Sequence, residues 1–214
     1  MVPVRLRAGV EEISAKMIFD TGASLTTLNE ATLRRLGLAV SPDDATVEMH
    51  TANGIVRRPL SVIEGLSLGG APIGGGVTVA VCEPCAQGEV VGLLGLNVSG
   101  KFRVTLDQEA GQMVLQPKPD RSRLGDILPW VDLKEASGVW RGPLLTVDLT
   151  VENRAPRALR NVRVSAVVRL GAVEGRISAD MAELAARGRA PLRVQGLPSV
   201  RGTSFLLRLE RADW

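Results

Sequence analysis

Apolar residues in this chain recur at every second position in short runs, and Gly, Pro and Asn cut the runs apart. Leu144–Glu152 (Leu-Leu-Thr-Val-Asp-Leu-Thr-Val-Glu) and Val162–Leu170 (Val-Arg-Val-Ser-Ala-Val-Val-Arg-Leu) are the clearest cases. A period of two sends alternate side chains to opposite faces of a strand, so one face can be buried while the other meets water. Tyr is absent and aromatics make up 3% of the 214 residues, so the core must be built from Val, Leu, Ile and Ala. β-Branched residues suit a pleated, half-buried surface. The chain is therefore expected to be all-β.

Its length suits one or two domains. The segment 116–123 (Gln-Pro-Lys-Pro-Asp-Arg-Ser-Arg) is Pro-rich, charged and without apolar periodicity, which reads as a connection. The expected division is a first domain over 1–117, a linker over 118–129 and a second domain over 130–214. In the second half, the turn Asn153–Ala158 separates the two alternating runs and Ser204–Glu210 makes a last strand. Met181–Ala186 reads either as a helical turn or as the approach to a strand at Pro191–Val194. Strands at this spacing predict a small immunoglobulin-like β-sandwich. Its Asn-Arg-Ala-Pro segment is similar to that of small bacterial adhesion-type sandwiches. No catalytic constellation lies there, so the second domain is read as a dimerisation, substrate-presenting or docking module, or as a structural cap.

Charge is uneven. Residues 1–117 carry 9 Lys/Arg and 12 Asp/Glu, and residues 118–214 carry 17 and 11, for +3 overall. The basic half suits solubility or acidic partners. Its arginines are scattered along strand-like runs without interleaved aromatics, which argues against nucleic acid as a partner. No apolar run is long enough to span a membrane. Met1-Val2-Pro3-Val4-Arg5 begins directly in a strand pattern, so no signal peptide is expected. The compartment stays open: cytoplasmic, or periplasmic or cell-envelope for a longer natural chain that carries a signal or anchor.

One stretch carries chemistry. The apolar run Met17-Ile18-Phe19 leads into Asp20-Thr21-Gly22-Ala23-Ser24, and Leu25-Thr26-Thr27-Leu28 follows. Asp-Thr-Gly alone is also a good surface turn. Between two strand-like runs it resembles the catalytic loop of the retropepsin-like family, the retroviral-type aspartic proteases, and most of all their bacterial single-lobe members. The resemblance covers residues 1–117 and rests on four features in order. A hairpin, Val2–Ala8 and Ala15–Phe19, enters the loop. A short helix follows over Asn29–Leu38, with Leu33 and Leu36 on one face and Gly37 at its stop. A second hairpin over Val47–Arg58 carries Asn53-Gly54, a signal for a type I′ turn centred on that pair. Last comes Val91-Gly92-Leu93-Leu94-Gly95-Leu96-Asn97, two apolar residues and a Gly, where Gly permits close backbone approach behind the loop. Lys101–Asp107 and Gly111–Gln116 read as a further hairpin.

The resemblance implies a closed β-barrel lobe and an aspartic endopeptidase. That chemistry needs two carboxylates about 3 Å apart that share one proton, because like charges so close cannot both ionise. The chain offers the motif once, so the resemblance implies a homodimer in which each copy gives one Asp20. Thr21 would cross-link the floor of the site and Gly22 would turn the backbone sharply. Ala23 would admit the partner loop, and Ser24 would hydrogen-bond the outer carboxylate oxygen. Asp20, Thr21 and Gly22 are thus the expected catalytic residues. The expected substrate contacts are Ala23, Ser24, the flap residues His50, Thr51, Ala52, Asn53 and Gly54, and Leu93, Leu94 and Gly95. The substrate is a protein or peptide, and no metal or organic cofactor is required. Retroviral members have Gly-Arg-Asn where this chain has Gly95-Leu96-Asn97, so the Arg that braces their dimer is absent. In those enzymes the chain termini build the dimer sheet, whereas here residue 117 runs on into a second domain. The alternative reading is a non-catalytic protein-binding or assembly module on the same fold.

Other candidates carry less. Cys82-Glu83-Pro84-Cys85 holds the only two cysteines and His50 is the only histidine, too few ligands for a zinc site in one chain. A local disulfide and a pair of free thiols are both open for it. His50 on a hairpin is either a solvated residue or a pH-sensitive substrate contact. Ser24 and His50 come without the Gly-x-Ser-x-Gly elbow of a serine hydrolase. Asn97-Val98-Ser99 fits a glycosylation sequon, but the resemblance places it in the core, out of reach of modification.

Overall fold

A computed structural model describes residues 1–41, 43–51, 54–84, 88–119 and 122–214. The chain is all-β and divides into two compact units, Met1–Asp126 and Ile127–Trp214.

Seven strands open the first unit: β1 (Val2–Ala8), β2 (Glu11–Phe19), β3 (Thr26–Asn29), β4 (Thr46–Thr51), β5 (Gly54–Leu68), β6 (Ala71–Cys82) and β7 (Val90–Leu94). They lie in the order β1-β2-β7-β3-β6-β5-β4, and β1 also pairs with β5. That extra pairing closes six strands into a barrel and removes their edges. The inward positions form one apolar core that includes Leu6, Met17, Leu28, Ile63, Leu68, Val77 and Leu94. On β1 the alternation is plain: Val4, Leu6 and Ala8 are buried between exposed neighbours.

The helix expected after β3 is α1 (Glu30–Arg35). Asn29 caps it, its Oδ1 accepting from the Thr32 N–H at 2.9 Å. Glu30 in the first turn and Arg34 and Arg35 in the last complement the helix dipole. Leu33 and Leu36 are buried, and Gly37 ends the helix at φ +72°. A single turn, α2 (Leu96–Ser99), follows β7. Then come the hairpin β8 (Phe102–Asp107) and β9 (Gln112–Pro117) and a last turn, α3 (Leu124–Ile127).

The hairpin expected over Val47–Arg58 forms from β4 and β5, but its turn is shifted. Thr51 pairs with Gly54, so Gly54 stands at the first rung of the ladder and not in the centre of the turn. Its φ of +114° suits Gly there. Ala52 and Asn53 lie outside the described residues.

The second unit holds β10 (Val131–Arg141), β11 (Leu144–Asn153), β12 (Leu159–Leu170), β13 (Val173–Leu184), β14 (Arg189–Gly196) and β15 (Phe205–Asp213), preceded by the 3-10 turn Leu128–Trp130. They make two antiparallel three-stranded sheets, β10-β11-β14 and β13-β12-β15, arranged as a sandwich. Leu145, Val147, Leu149 and Val151 of β11 and Val162, Val164, Ala166 and Val168 of β12 supply much of the core between them. The sheets approach closely at glycines: a Cβ on Gly138 would lie 2.4 Å from the Phe205 ring. Met181–Leu184 is the end of β13, not a helical turn, because its backbone pairs with Leu159–Val162 and Leu184 is buried. Among the described residues, no helix is long and apolar enough to cross a membrane.

Candidate active site

β7 is the spine of the site. It runs parallel to β2 on one side, with Phe19 opposite Leu94, and antiparallel to β3 on the other, with Thr27 opposite Leu93. The loop 20–25 must therefore pass from one flank of β7 to the other across its C-terminal end. Backbone hydrogen bonds hang the loop from that end. The Asp20 N–H donates to the Leu94 carbonyl (3.1 Å), the Leu96 N–H to that of Ala23 (2.8 Å) and the Asn97 N–H to that of Ser24 (3.1 Å). The Gly22 N–H donates to Asp20 Oδ1 at 2.8 Å and fixes the carboxylate. Asp20 is half-buried, while Thr21, Gly22 and Ser24 are exposed around it.

The approach is too close for side chains. A Cβ on Gly92 would lie 1.9 Å from the Thr27 carbonyl oxygen, and one on Gly95 would lie 2.3 Å from the Leu25 carbonyl carbon. Both obstacles are backbone, so neither can move aside without moving the loop.

Beneath the loop lies a buried polar network. Asn97 Oδ1 accepts from the Thr26 N–H (2.8 Å) and the Thr26 hydroxyl (2.9 Å). Thr26 Oγ1 in turn accepts from the Gly95 N–H (3.1 Å). Asn97 Nδ2 donates to the Thr78 carbonyl (2.8 Å) and to Asp126 Oδ1 (2.9 Å). Asp126 is fully buried, and its Oδ2 pairs with Lys101 Nζ at 2.5 Å. Thr78 closes the ring, its N–H donating to Asp126 Oδ1 (3.2 Å) and its hydroxyl to the Asp126 carbonyl (2.6 Å).

The expected site residues thus fall into two sets. Asp20, Thr21, Gly22, Ala23 and Ser24 come together with Leu93, Leu94 and Gly95. Within that set, Leu94 and Gly95 are buried; the Leu94 carbonyl holds the loop at the Asp20 N–H, and the Gly95 N–H donates to the Thr26 hydroxyl just beyond it. Among the described residues the Asp20 carboxylate accepts from the Gly22 N–H, and the Ser24 carbonyl accepts from the Asn97 N–H of α2. The second set, His50, Thr51 and Gly54, is exposed on the β4–β5 hairpin. The Thr51 hydroxyl donates to the Gly54 carbonyl at 2.8 Å and ties that end of the hairpin.

Leu96, at the position of the retroviral Arg, is 48% exposed next to the loop. The sequon residue Asn97 is buried with both amide atoms engaged, which closes it to glycosylation. Cys82 is disulfide-bonded, and Cys85 lies outside the described residues. Among the described residues, no group of His, Cys, Asp and Glu could hold a metal ion. The sequence motifs do not single out Asp126, Lys101 or Thr26 as site residues, and they contain Asn97 only as a sequon and as the end of the Leu93-Leu94-Gly95 run.

A Gly-backed loop with an Asp at its tip, hung from one strand inside a closed six-stranded barrel, has a counterpart among known families. Residues 2–98 match the model of a family described as aspartyl protease. The first unit therefore carries a segment similar to the retropepsin-like aspartyl proteases, a likeness that points to peptide-bond hydrolysis. The matched segment ends inside α2, before Lys101 and Asp126. No curated protein matches the chain.

Proposed function

We propose that this protein is an aspartic endopeptidase that works as a homodimer, with Asp20 of each copy forming the catalytic pair. The observation that carries this is the Asp20 loop: a single carboxylate, oriented by the Gly22 N–H, on an exposed loop in the segment that matches an aspartyl protease family. One carboxylate cannot act as base and acid in the same step, so a second copy must supply its equal. Apolar Leu96, exposed beside the loop, suits such a contact.

In the reaction one Asp20 is ionised and the other protonated. The ionised carboxylate takes a proton from water while the oxygen of that water attacks the scissile carbonyl. The protonated Asp20 donates its proton to the carbonyl oxygen, which gives a neutral tetrahedral diol. The Asp20 that took the water proton then gives it to the leaving nitrogen as the carbon–nitrogen bond breaks, the other Asp20 takes a proton from a diol hydroxyl as the new carboxyl forms, and the pair again holds one shared proton. The β4–β5 hairpin is proposed to close over an extended peptide, with His50, Thr51 and Gly54 at the substrate.

The test is cleavage of an unfolded protein over roughly pH 3.5–7, where a shared proton is retained on the acid side. Wild type is expected to cut best at acidic pH, and Asp20→Asn is expected to lose about 10³-fold or more of kcat/KM by removing general acid–base action. Equal cleavage by folded Asp20→Asn would refute the assignment. No cleavage by wild type at any pH would favour the binding-module alternative.

A further inference from the structure

We propose that Asp126 is a positioning residue for the Asp20 loop, acting through the side-chain amide of Asn97. The inference rests on the endopeptidase reading above and extends it to residues outside the family-matched segment.

An Asn amide offers one acceptor and one double donor, and nothing in its shape decides which end points where. Here the surroundings decide. An ionised Asp126 can only accept hydrogen bonds, and the Thr78 carbonyl likewise; both face Asn97 Nδ2. Oδ1 is thereby turned to Thr26, where it receives both the backbone N–H and the hydroxyl. With its proton committed to Asn97, the Thr26 oxygen is left to accept from the Gly95 N–H. The donor directions therefore run in one order from Gly95 through Thr26 and Asn97 to Asp126. A flipped Asn97 would set its NH₂ against the Thr26 N–H, donor against donor. The backbone N–H of that same Asn97 holds the Ser24 carbonyl, and its neighbour Leu96 holds that of Ala23. Asp126 thus reaches the Asp20 loop through one residue.

Lys101 compensates the carboxylate. It is 7% exposed, and its Nζ meets the Asp126 oxygen that Asn97 does not use. Removing either partner alone would leave a buried charge unpaired. Both members of the pair must therefore be replaced together.

The experiment uses the full chain and two double variants. Lys101→Met/Asp126→Leu removes the ion pair and the acceptor for Asn97. Lys101→Met/Asp126→Asn removes the charges but keeps an oxygen for Asn97. Each is assayed for kcat and KM on one peptide cut by wild type, and for amide hydrogen exchange over residues 20–27 and 94–97. A misplaced loop can cost about 100-fold in rate, so the Leu variant is expected to lose about 10- to 100-fold in kcat. KM is expected to stay within about threefold, and the Asn variant to recover most of the loss. Exchange should quicken in the loop and at 94–97 while β1 and β5 keep their wild-type rates. The proposal is overturned if the Leu variant keeps wild-type kcat and loop exchange. It is equally overturned if exchange rises evenly across the whole lobe, which is what a merely structural role would produce. If wild type cleaves nothing, the endopeptidase reading fails, and loop exchange in the variants still decides the positioning claim. One measurement needs no variant. In wild type the Asn97 side-chain amide protons should exchange as slowly as the Thr26 backbone amide, and rapid exchange would refute the fixed orientation.

Discussion

Gly92 and Gly95 are the residues on which the site's compactness depends. At both, a methyl group would collide with the backbone of β3 or of the loop that leads into it. Because backbone cannot rotate away as a side chain can, Gly95→Ala is expected to cost about 3 kcal/mol or more, the upper range for overpacking. Urea denaturation would measure it; a loss under 1 kcal/mol, on the order of a surface change, would contradict the close approach. Asn29→Ala should cost only about 1 kcal/mol, the usual worth of an N-cap, and it should appear in the same assay. The Gly of Leu93-Leu94-Gly95 is conspicuous because an apolar strand rarely keeps one without reason. Thr26 and Asn97 are less so, since their importance lies in which atoms they face across 71 residues of chain. Lys101 and Asp126 gave no signal. A Lys beside a strand and an Asp in a polar connecting segment look solvated until the fold buries them together.

Elements with strict alternation were readable, and those without it were not. β11 announces itself because every second residue is apolar and buried, and β12 does so over Val162–Val168, where Ser165 and Val167 of the other face are buried as well. β10 does not. It is largely exposed, and its alternation is broken by a bulge between Lys134 and Ser137, with Glu135 at φ +53°. β13 carries a Gly and many polar residues, which hid its end as a possible helical turn. The β4–β5 hairpin is an element of a different kind. The inner part of β5 pairs with β6, but Gly54–Pro59 pairs only with β4. A two-stranded ribbon is marginal alone, so its amides should exchange faster than those of Leu60–Leu68. Hydrogen exchange by NMR would show this, and equal protection along all of β5 would count against a mobile flap.

At the scale of the molecule, surface ion pairs set how acid should affect the second unit. In the second unit Arg193 holds the Asp148 carboxyl below its ordinary value of 3.8, and Arg163 does the same for Asp180. Lys134 lowers Glu152, and Arg169 lowers Glu174, from their ordinary 4.5. A carboxylate depressed in the folded state stabilises above its unfolded pKa, and that contribution is lost as pH falls through the folded value. The second unit should therefore keep its stability at pH 5 to 7, by the carboxylate range, and lose some of it progressively below about pH 4. These pairs are on the surface, so the loss should be modest and should shrink in high salt. Calorimetry across pH at two salt concentrations would test both points; a second unit that becomes more stable below pH 4 would contradict the sign. An enzyme with a shared-proton dyad would thus have to work where its second unit begins to weaken.

Whether two copies of Asp20 make one site, as proposed above, is tested most directly by subunit mixing. Wild type is mixed with increasing Asp20→Asn under conditions that allow copies to exchange, and activity is expressed per wild-type chain. If the site needs one Asp20 from each copy, a ninefold excess of the variant should lower that activity to about one tenth, because most wild-type chains then sit in mixed pairs. Activity per wild-type chain that stays constant through the titration would contradict the shared site.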